Sequence, residues 1–276
     1  MDIDEKYNSL RSILKTLGRA VIAYSGGVDS AFLLKAAVDT MGAENVIACI
    51  GISPSLADSQ KTIALDTAEF IGIDVRRIRL GELDDKNYSA NNADRCFHCK
   101  SHLYRSLGEI AKAEGIEHIL CGSNLDDEDD FRPGRRAASD FAVRAPLVQA
   151  RLTKTEIRAL SRKLGLATAD MPASPCLASR ISYGLEVTPE RLNQVEQAEN
   201  FLRSRGFVEF RVRHHGDVAR IEIPAEDIKK VVEEPNRAVI VEKLKSLGFK
   251  FITVDMQGFR SGALNEALTE AEKQKK

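Results

Sequence analysis

The sequence predicts an α/β fold: a doubly wound parallel sheet, followed by a smaller α+β domain at the C-terminal end. Three observations carry that expectation. Residues 19–122 alternate short β-branched runs with longer helical patterns. A glycine-rich turn follows the first run and opens a helix. From Thr188 onward the pattern changes to helix, two strands, two helices and a strand. Strands that are apolar on both faces and separated by helices belong to a sheet covered on both sides. Such sheets bind ligands beyond the carboxyl ends of their strands.

Taken in order, the runs are RAVIAY (19–24), NVIACI (45–50), VRRIRL (75–80) and HILCG (118–122), with helices expected near 30–41, 56–71 and 97–114. A further helix runs from Thr153 to Leu164. Thr153 and Glu156 stand at capping-box spacing at its start, and Gly165 ends it. Residues 166–187, with Pro172, Pro175 and Gly184, read as a long loop, and a loop of that length inside a compact chain is usually functional or disordered. Thr188-Pro189 starts a helix that stops at Gly206, and the strands FRVRHH and DVARIEI join at His215-Gly216. Helices near 224–233 and 235–247 and a strand at 250–255 complete an order similar to part of a ferredoxin-like unit. The segment Asp255 to Gly262 is too glycine-rich for a helix and is expected to return Arg260 toward the core. The tail TEAEKQKK is expected to fray. The organisation expected is a nucleotide domain at 1–165, an active-site loop at 166–187, and a substrate or oligomerisation domain at 188–276.

The bulk numbers exclude several classes. The chain has 276 residues, 43% hydrophobic and 29% charged, enough for a substantial core. Its 40 basic residues against 41 acids, a formal net charge of −1, argue against stable nucleic-acid binding, which usually brings a basic excess. The first residues are amphipathic and mixed in charge, unlike a signal peptide. No stretch approaches the roughly 18 apolar residues that span a bilayer. A cytoplasmic protein is expected, with no membrane partner. In a reducing compartment its grouped cysteines point to metal or redox chemistry rather than structural disulfides.

Tyr24-Ser25-Gly26-Gly27-Val28-Asp29-Ser30 follows a strand and opens a helix. Two glycines let the backbone wrap an anion closely, and the helix start supplies free amides and the positive end of its dipole. Ser25 and Ser30 add hydroxyl donors, and Asp29 can hold Mg²⁺ or orient phosphates. The motif lacks both GK[ST] and GxGxxG, so it is neither a Walker A loop nor a dinucleotide fingerprint. It resembles the SGGxDS signature of the PP-loop ATP pyrophosphatases over about residues 19–165. That resemblance implies ATP as substrate and activation of a carbonyl or carboxyl group by AMP transfer. Gly122-Ser123-Asn124-Leu125-Asp126 follows the fourth strand and resembles the G-x-N-x-D segment of those enzymes, which places Gly122 and Asn124 near the nucleotide. The acids from Asp126 to Asp130 also read as a solvated loop.

Cys96 and Cys99 form a CxxC at a helix start, and Cys176 lies in the long loop. Consecutive turns put both CxxC sulfurs on one side, which suits two thiolates on one metal centre. Three thiolates on a [4Fe–4S] cluster leave one iron open to an exogenous ligand, as an enzyme that delivers sulfide requires. Zinc with His98, His102 or His214 as fourth ligand is the alternative. Cys49 and Cys121, inside apolar strands, read as core residues. On the second domain, alternation separates Phe210 and Val212 from Arg211 and Arg213. If the two strands pair, Arg211, Arg213, Arg220 and Glu222 share a polar face. Such a face suits a phosphate monoester, or is simply solvated.

SGGVDS, DDFRPGRR, PCLASRISYG, RVRHHGDVARIE and VDMQGFRSG together resemble the LarE sulfur transferases across nearly the whole chain. The resemblance implies adenylation of pyridinium-3,5-biscarboxylic acid mononucleotide and replacement of each carboxylate by a thiocarboxylate, for a nickel-pincer nucleotide cofactor. It implies Ser25, Gly26, Gly27, Asp29 and Ser30 at the ATP phosphates, with Mg²⁺. Ser179 and Arg180 follow the sulfur-handling Cys176, and Arg211, Arg213, Glu199 and Glu222 match positions at the substrate phosphate and active site. One branch of that family sacrifices a loop cysteine. This sequence reads Ser-Pro-Cys where that branch reads Ala-Ser-Cys, and it also has the CxxC. It is therefore similar to the three-cysteine branch, with Cys96, Cys99 and Cys176 on a [4Fe–4S] cluster. The partners implied are a nucleotide-like small molecule and a sulfide donor, and a homo-oligomer is expected. The alternatives are a tRNA thiolation enzyme, an amide ligase of the NAD or GMP synthetase type, or a nucleotide-sensing module.

Overall fold

The computed structural model describes residues 2–128, 134–172, 174–260 and 262–269. It divides into two compact units, 1–82 with 96–174 and 83–95 with 175–276.

The first unit opens on α1 (Ile3–Leu17), where Asp2 accepts the Glu5 N–H and Glu5 accepts the Asp2 N–H. Then follow β1 (Ala20–Ala23), α2 (Val28–Met41), β2 (Val46–Ile52), α3 (Asp58–Ile71) and β3 (Val75–Arg79). After the single turn α4 (Lys86–Ser89), which belongs to the second unit, come α5 (Arg95–Ala113) and β4 (His118–Cys121). The last helices of the first unit are α6 (Gly134–Asp140), α7 (Pro146–Gln149) and α8 (Lys154–Lys163). The four strands pair in parallel in the order β3-β2-β1-β4. Ala20 and Ile22 of β1 pack into a core with Leu14 of α1, Phe32 of α2 and Ile157 of α8. Val21 and Ala23 pack the other way, against Leu103 and Leu107 of α5 and Ala137 of α6. Both faces of β1 are thus apolar and covered, which is why its sequence reads as a continuous hydrophobic run.

The second unit continues with α9 (Pro189–Ser204), β5 (Arg211–His215), β6 (Val218–Glu222), α10 (Ile228–Val232), α11 (Asn236–Ser246) and β7 (Phe251–Val254). Thr188 caps α9 by accepting the Arg191 N–H, and Pro189 takes the first helical position, where no N–H is needed. β5 and β6 are antiparallel around Gly216, which has φ +68°, and β7 lies parallel to β6. Val212, Ala219 and Ile221 pack on Leu202, Ile240 and Leu244. Residues 83–95 join this unit through buried Asn91, whose amide donates to the carbonyls of Ile181, Ser182 and Leu185.

Arg260 differs from expectation. It remains partly exposed and pairs with Glu266 at 3.2 Å, because a guanidinium avoids desolvation when a surface carboxylate is within reach. Residues 129–133 of the acidic and DDFRPGRR segments, Ser261, and residues 270–276 of the tail lie outside the described residues. Among the described residues, no helix is long and apolar enough to cross a membrane.

Candidate functional site

The glycine turn stands between β1 and α2. Tyr24 fixes its entrance: its N–H bonds the Cys49 carbonyl and its hydroxyl the Ala64 carbonyl. Gly26 has φ +75°, and a Cβ there would lie 2.4 Å from the Ala64 Cβ, so the position needs glycine for both conformation and space. Gly27 is the N-cap of α2, with no side chain to cap the helix, which leaves the first amides of α2 to an anion. Ser30 turns back into the loop, donating to the Gly27 carbonyl at 3.0 Å and lying 3.1 Å from Ser25 Oγ.

Beside this turn opens a cleft of about 360 Å³. Ser25, Gly27, Asp29 and Ser30 line it, with Gly122, Ser123 and Asp127 from the segment after β4, Cys96 and Lys100 from α5, and Arg135 from α6. Gly122 comes so near that a Cβ on it would be 2.9 Å from Ser30 N. Asn124 is buried and shapes its loop, its Oδ1 accepting the Asp126 N–H and its own N–H bonding Asp127. Asp126 in turn accepts the Lys154 N–H at the start of α8, so it caps a helix. One oxygen of Asp29 pairs with Lys154; the other, Oδ1, is buried with no hydrogen-bond partner among the described residues.

Cys96 is exposed, and Cys99 is half-buried one turn further along α5. Lys100 carries positive charge into the same wall. Tyr104 pushes its pKa up, burial pulls it down, and the thiols of Cys99, Cys121 and Cys96 add to the rise. Cys121 is buried, as a core reading implies, and it also lines the cleft. Burial pushes the Cys49 thiol up to about 11, consistent with an inert core position. Among the described residues, no three His, Cys, Asp or Glu side chains stand together as a metal-holding group.

In the second unit Cys176 is exposed and caps a single 3₁₀ turn, Leu177–Arg180. Ser179 Oγ donates to its carbonyl at 2.7 Å, and Arg180 Nη1 donates to it at 3.1 Å. Arg180 forks onto Glu199 at 3.0 and 3.2 Å, and Glu199 also accepts the Val212 N–H. The β5–β6 register sets Arg211 opposite Glu222 and Arg213 opposite Arg220, which places all four on one polar face. Glu222, fully buried, accepts from Arg213 and Arg220, both at 2.9 Å. Arg213 Nη1 also reaches the Ser179 carbonyl. Glu199 and Glu222 therefore hold arginines in place.

Arg211 lies over the Phe259 ring, 5.1 Å from its centre. Burial lowers its pKa to about 10, and neighbouring Arg180 adds to the fall. On the same face His215 Nε2 is buried without a hydrogen-bond partner among the described residues.

Sequence reasoning gave no role to Lys100 and Arg135, which line the cleft, or to Lys154, which pairs with Asp29. Two of them carried a signal: Lys100 stands four residues from Cys96 on one helix face, and Arg135 lies in the DDFRPGRR segment.

A parallel α/β sheet with this turn and cleft defines a PP-loop-like fold. No family model matches the chain. It is 39% identical to the pyridinium-3,5-bisthiocarboxylic acid mononucleotide synthase of Lactiplantibacillus plantarum, over 97% of this chain and 96% of that protein. An uncharacterised protein of Synechocystis is 40% identical over 97% of this chain and 99% of its own length. Another, of Methanocaldococcus jannaschii, is 28% identical over 92% and 95%. The chain belongs to the family of pyridinium-3,5-bisthiocarboxylic acid mononucleotide synthases.

Proposed function

We propose that this chain is an ATP-dependent sulfur transferase that converts the two carboxylates of pyridinium-3,5-biscarboxylic acid mononucleotide, in turn, to thiocarboxylates. The observation that supports it most is the cleft in which the SGGVDS turn, Lys100, Arg135 and Cys96 meet. Near-full-length similarity to a synthase named for a bisthiocarboxylic product adds the substrate class. That similarity also favours this reading over tRNA thiolation and amide ligation.

The chemistry has two steps. A substrate carboxylate oxygen attacks the α-phosphorus of ATP, the bond to the β-phosphate oxygen breaks, and pyrophosphate leaves with the electron pair. Hydrosulfide from a sulfide donor then adds through sulfur to the acyl carbon, AMP leaves, and one proton is lost to give the thiocarboxylate. In the first step the amides of α2 and the cations Lys100 and Arg135 stabilise charge on the phosphates. Asp29 Oδ1, a buried acceptor with no hydrogen-bond partner among the described residues, fits a Mg²⁺ ligand. On the second unit Arg211, whose pKa burial and then Arg180 lower to about 10, would gain from a phosphate dianion.

The thiol set fits an iron–sulfur cluster in donor chemistry, and Cys96, Cys99 and Cys176 are the residues that would hold it. A [4Fe–4S] cluster on three thiolates supplies an iron site at which exogenous sulfide can bind.

The test combines protein, Mg²⁺, ATP and the biscarboxylate mononucleotide, first without and then with sulfide. Pyrophosphate and AMP should form only with the mononucleotide present, and sulfide should convert the product to one with sulfur in place of oxygen. Formation of ADP, or no pyrophosphate with the substrate present, rejects the reading.

A further inference from the structure

We propose that Arg136 determines substrate specificity: its guanidinium, held over the Phe97 ring between the two cysteines of the CxxC, binds the carboxylate of the mononucleotide that is not being adenylated. The inference rests on the adenylation reading above and names a partner for the half of the substrate that reading leaves unheld.

The helix that carries Arg136 is fastened to the start of α5. A Cβ on Gly134 would lie 3.1 Å from Lys100 Cγ and 3.6 Å from the Cys96 carbonyl oxygen. Ala137 is fully buried in the core that holds Leu103 and Leu107 of α5. Arg135 donates to the Asp127 carbonyl at 3.0 Å and lines the cleft. Successive helix residues diverge by about 100°, so Arg136 takes another direction. Its guanidinium carbon stands 3.7 Å from the centre of the Phe97 ring, and His98 meets that ring edge-on at 5.3 Å.

This stack orients a cation without consuming its charge. A cation over an aromatic face at an exposed position adds little stability. It leaves the N–H donors in the guanidinium plane open, and that is the geometry in which arginine takes a carboxylate through two bonds. Arg136 is exposed and forms no ion pair among the described residues. The substrate of the proposed reaction carries two carboxylates on one ring. While one attacks ATP, the other is an anion near a triphosphate, and their repulsion weakens binding unless a cation answers it. Lys100 and Arg135 face the phosphates in the reading above, and Arg136 is the next residue along the same short helix. In the second cycle the thiocarboxylate already made, also an anion, takes the same place, so one residue serves both rounds.

The test compares two ligands that differ by a single group, pyridinium-3,5-biscarboxylic acid mononucleotide and pyridinium-3-carboxylic acid mononucleotide. Binding of each is measured by calorimetry for wild type, Arg136→Gln and Arg136→Lys, with ATP binding as the control for folding. Wild type should prefer the dicarboxylate tenfold to hundredfold, roughly one charge-assisted contact. Arg136→Gln should lose that preference and bind the monocarboxylate and ATP as wild type does, while Arg136→Lys should keep part of it. A second measurement needs no Gln variant: on wild-type protein labelled with ¹⁵N, the Arg136 Nε–H resonance, identified by its absence in Arg136→Lys, should move with the dicarboxylate much more than with the monocarboxylate. No preference in wild type, an unchanged preference in Arg136→Gln, equal losses for both mononucleotides, or an unmoved resonance overturns the proposal. Wild-type protein that shows the preference through Arg136 yet releases no pyrophosphate from ATP overturns the adenylation reading and leaves the contact standing.

Discussion

At the scale of single residues, Gly122 and Glu222 show how little freedom the two sites leave. A Cβ on Gly122 would press within 2.9 Å of Ser30 N and 3.0 Å of Ser30 Cα, and backbone cannot yield as a side-chain tip can. Gly122→Val should therefore abolish pyrophosphate formation, and normal turnover in that variant would show that the turn is not the phosphate site. Glu222 is fully buried between Arg213 and Arg220. Glu222→Gln leaves two guanidiniums without their carboxylate and should cost about 3–5 kcal/mol, read as a fall in the urea midpoint. Arg211→Ala removes one contact to the proposed substrate phosphate. Its apparent constant for the mononucleotide should rise ten- to hundredfold, about 1.5–3 kcal/mol, with little change for ATP. A change confined to ATP would move Arg211 to the nucleotide site.

At the scale of an element, β5 has two faces with opposite chemistry. Arg211, Arg213 and His215 point to the polar side, while Val212 and His214 turn to the side of the core. His214 stacks edgewise on Phe249 with ring centres 5.0 Å apart. Its Nδ1 accepts the Gly216 N–H at the hairpin turn, and Nε2 lies 2.9 Å from Gln194 Oε1. A ring whose Nδ1 is an acceptor is neutral, and burial, followed by Arg191, lowers its pKa to about 4. The unfolded chain binds the proton more readily, near the ordinary value of 6.5. The stability that neutral His214 contributes is thus fully present above pH 6.5 and is lost as pH falls toward 4. Urea midpoints from pH 7.5 to 4.5 should fall more steeply for wild type than for His214→Gln, which has no titrating group. Parallel slopes would show that the ring is not held neutral.

For the whole molecule, the question is whether the polypeptide survives each turnover. A chain that draws sulfide from a cluster keeps Cys176, and one that sacrifices a thiol converts it to dehydroalanine. Anaerobically reconstituted protein should carry about four irons with matching acid-labile sulfide, and Cys96→Ser, Cys99→Ser and Cys176→Ser should each lower that content. Mass spectrometry after many turnovers with added sulfide should find Cys176 intact. Stoichiometric dehydroalanine without an iron requirement would reject the cluster.

The sequence by itself determined the local devices. The strand–SGGVDS–helix turn, the Thr153–Glu156 capping box, the Thr188-Pro189 helix start and the hairpin at Gly216 all stand where the residues place them. Each is set within a few residues, by a cap, a fixed φ or a hydrophobic period, so a linear reading suffices. Tertiary structure decided the partners. Lys154 meets Asp29 from 125 positions away, and Asn91 carries residues 83–95 out of the α/β run to the carbonyls after Arg180. The motif placed Asn124 near the nucleotide; the fold buries it and has it build its loop, while Gly122 beside it faces Ser30. Those outcomes depend on strand order and on which carboxylate lies nearest an amide or ammonium in space, and neither quantity is written in the spacing of residues along the chain.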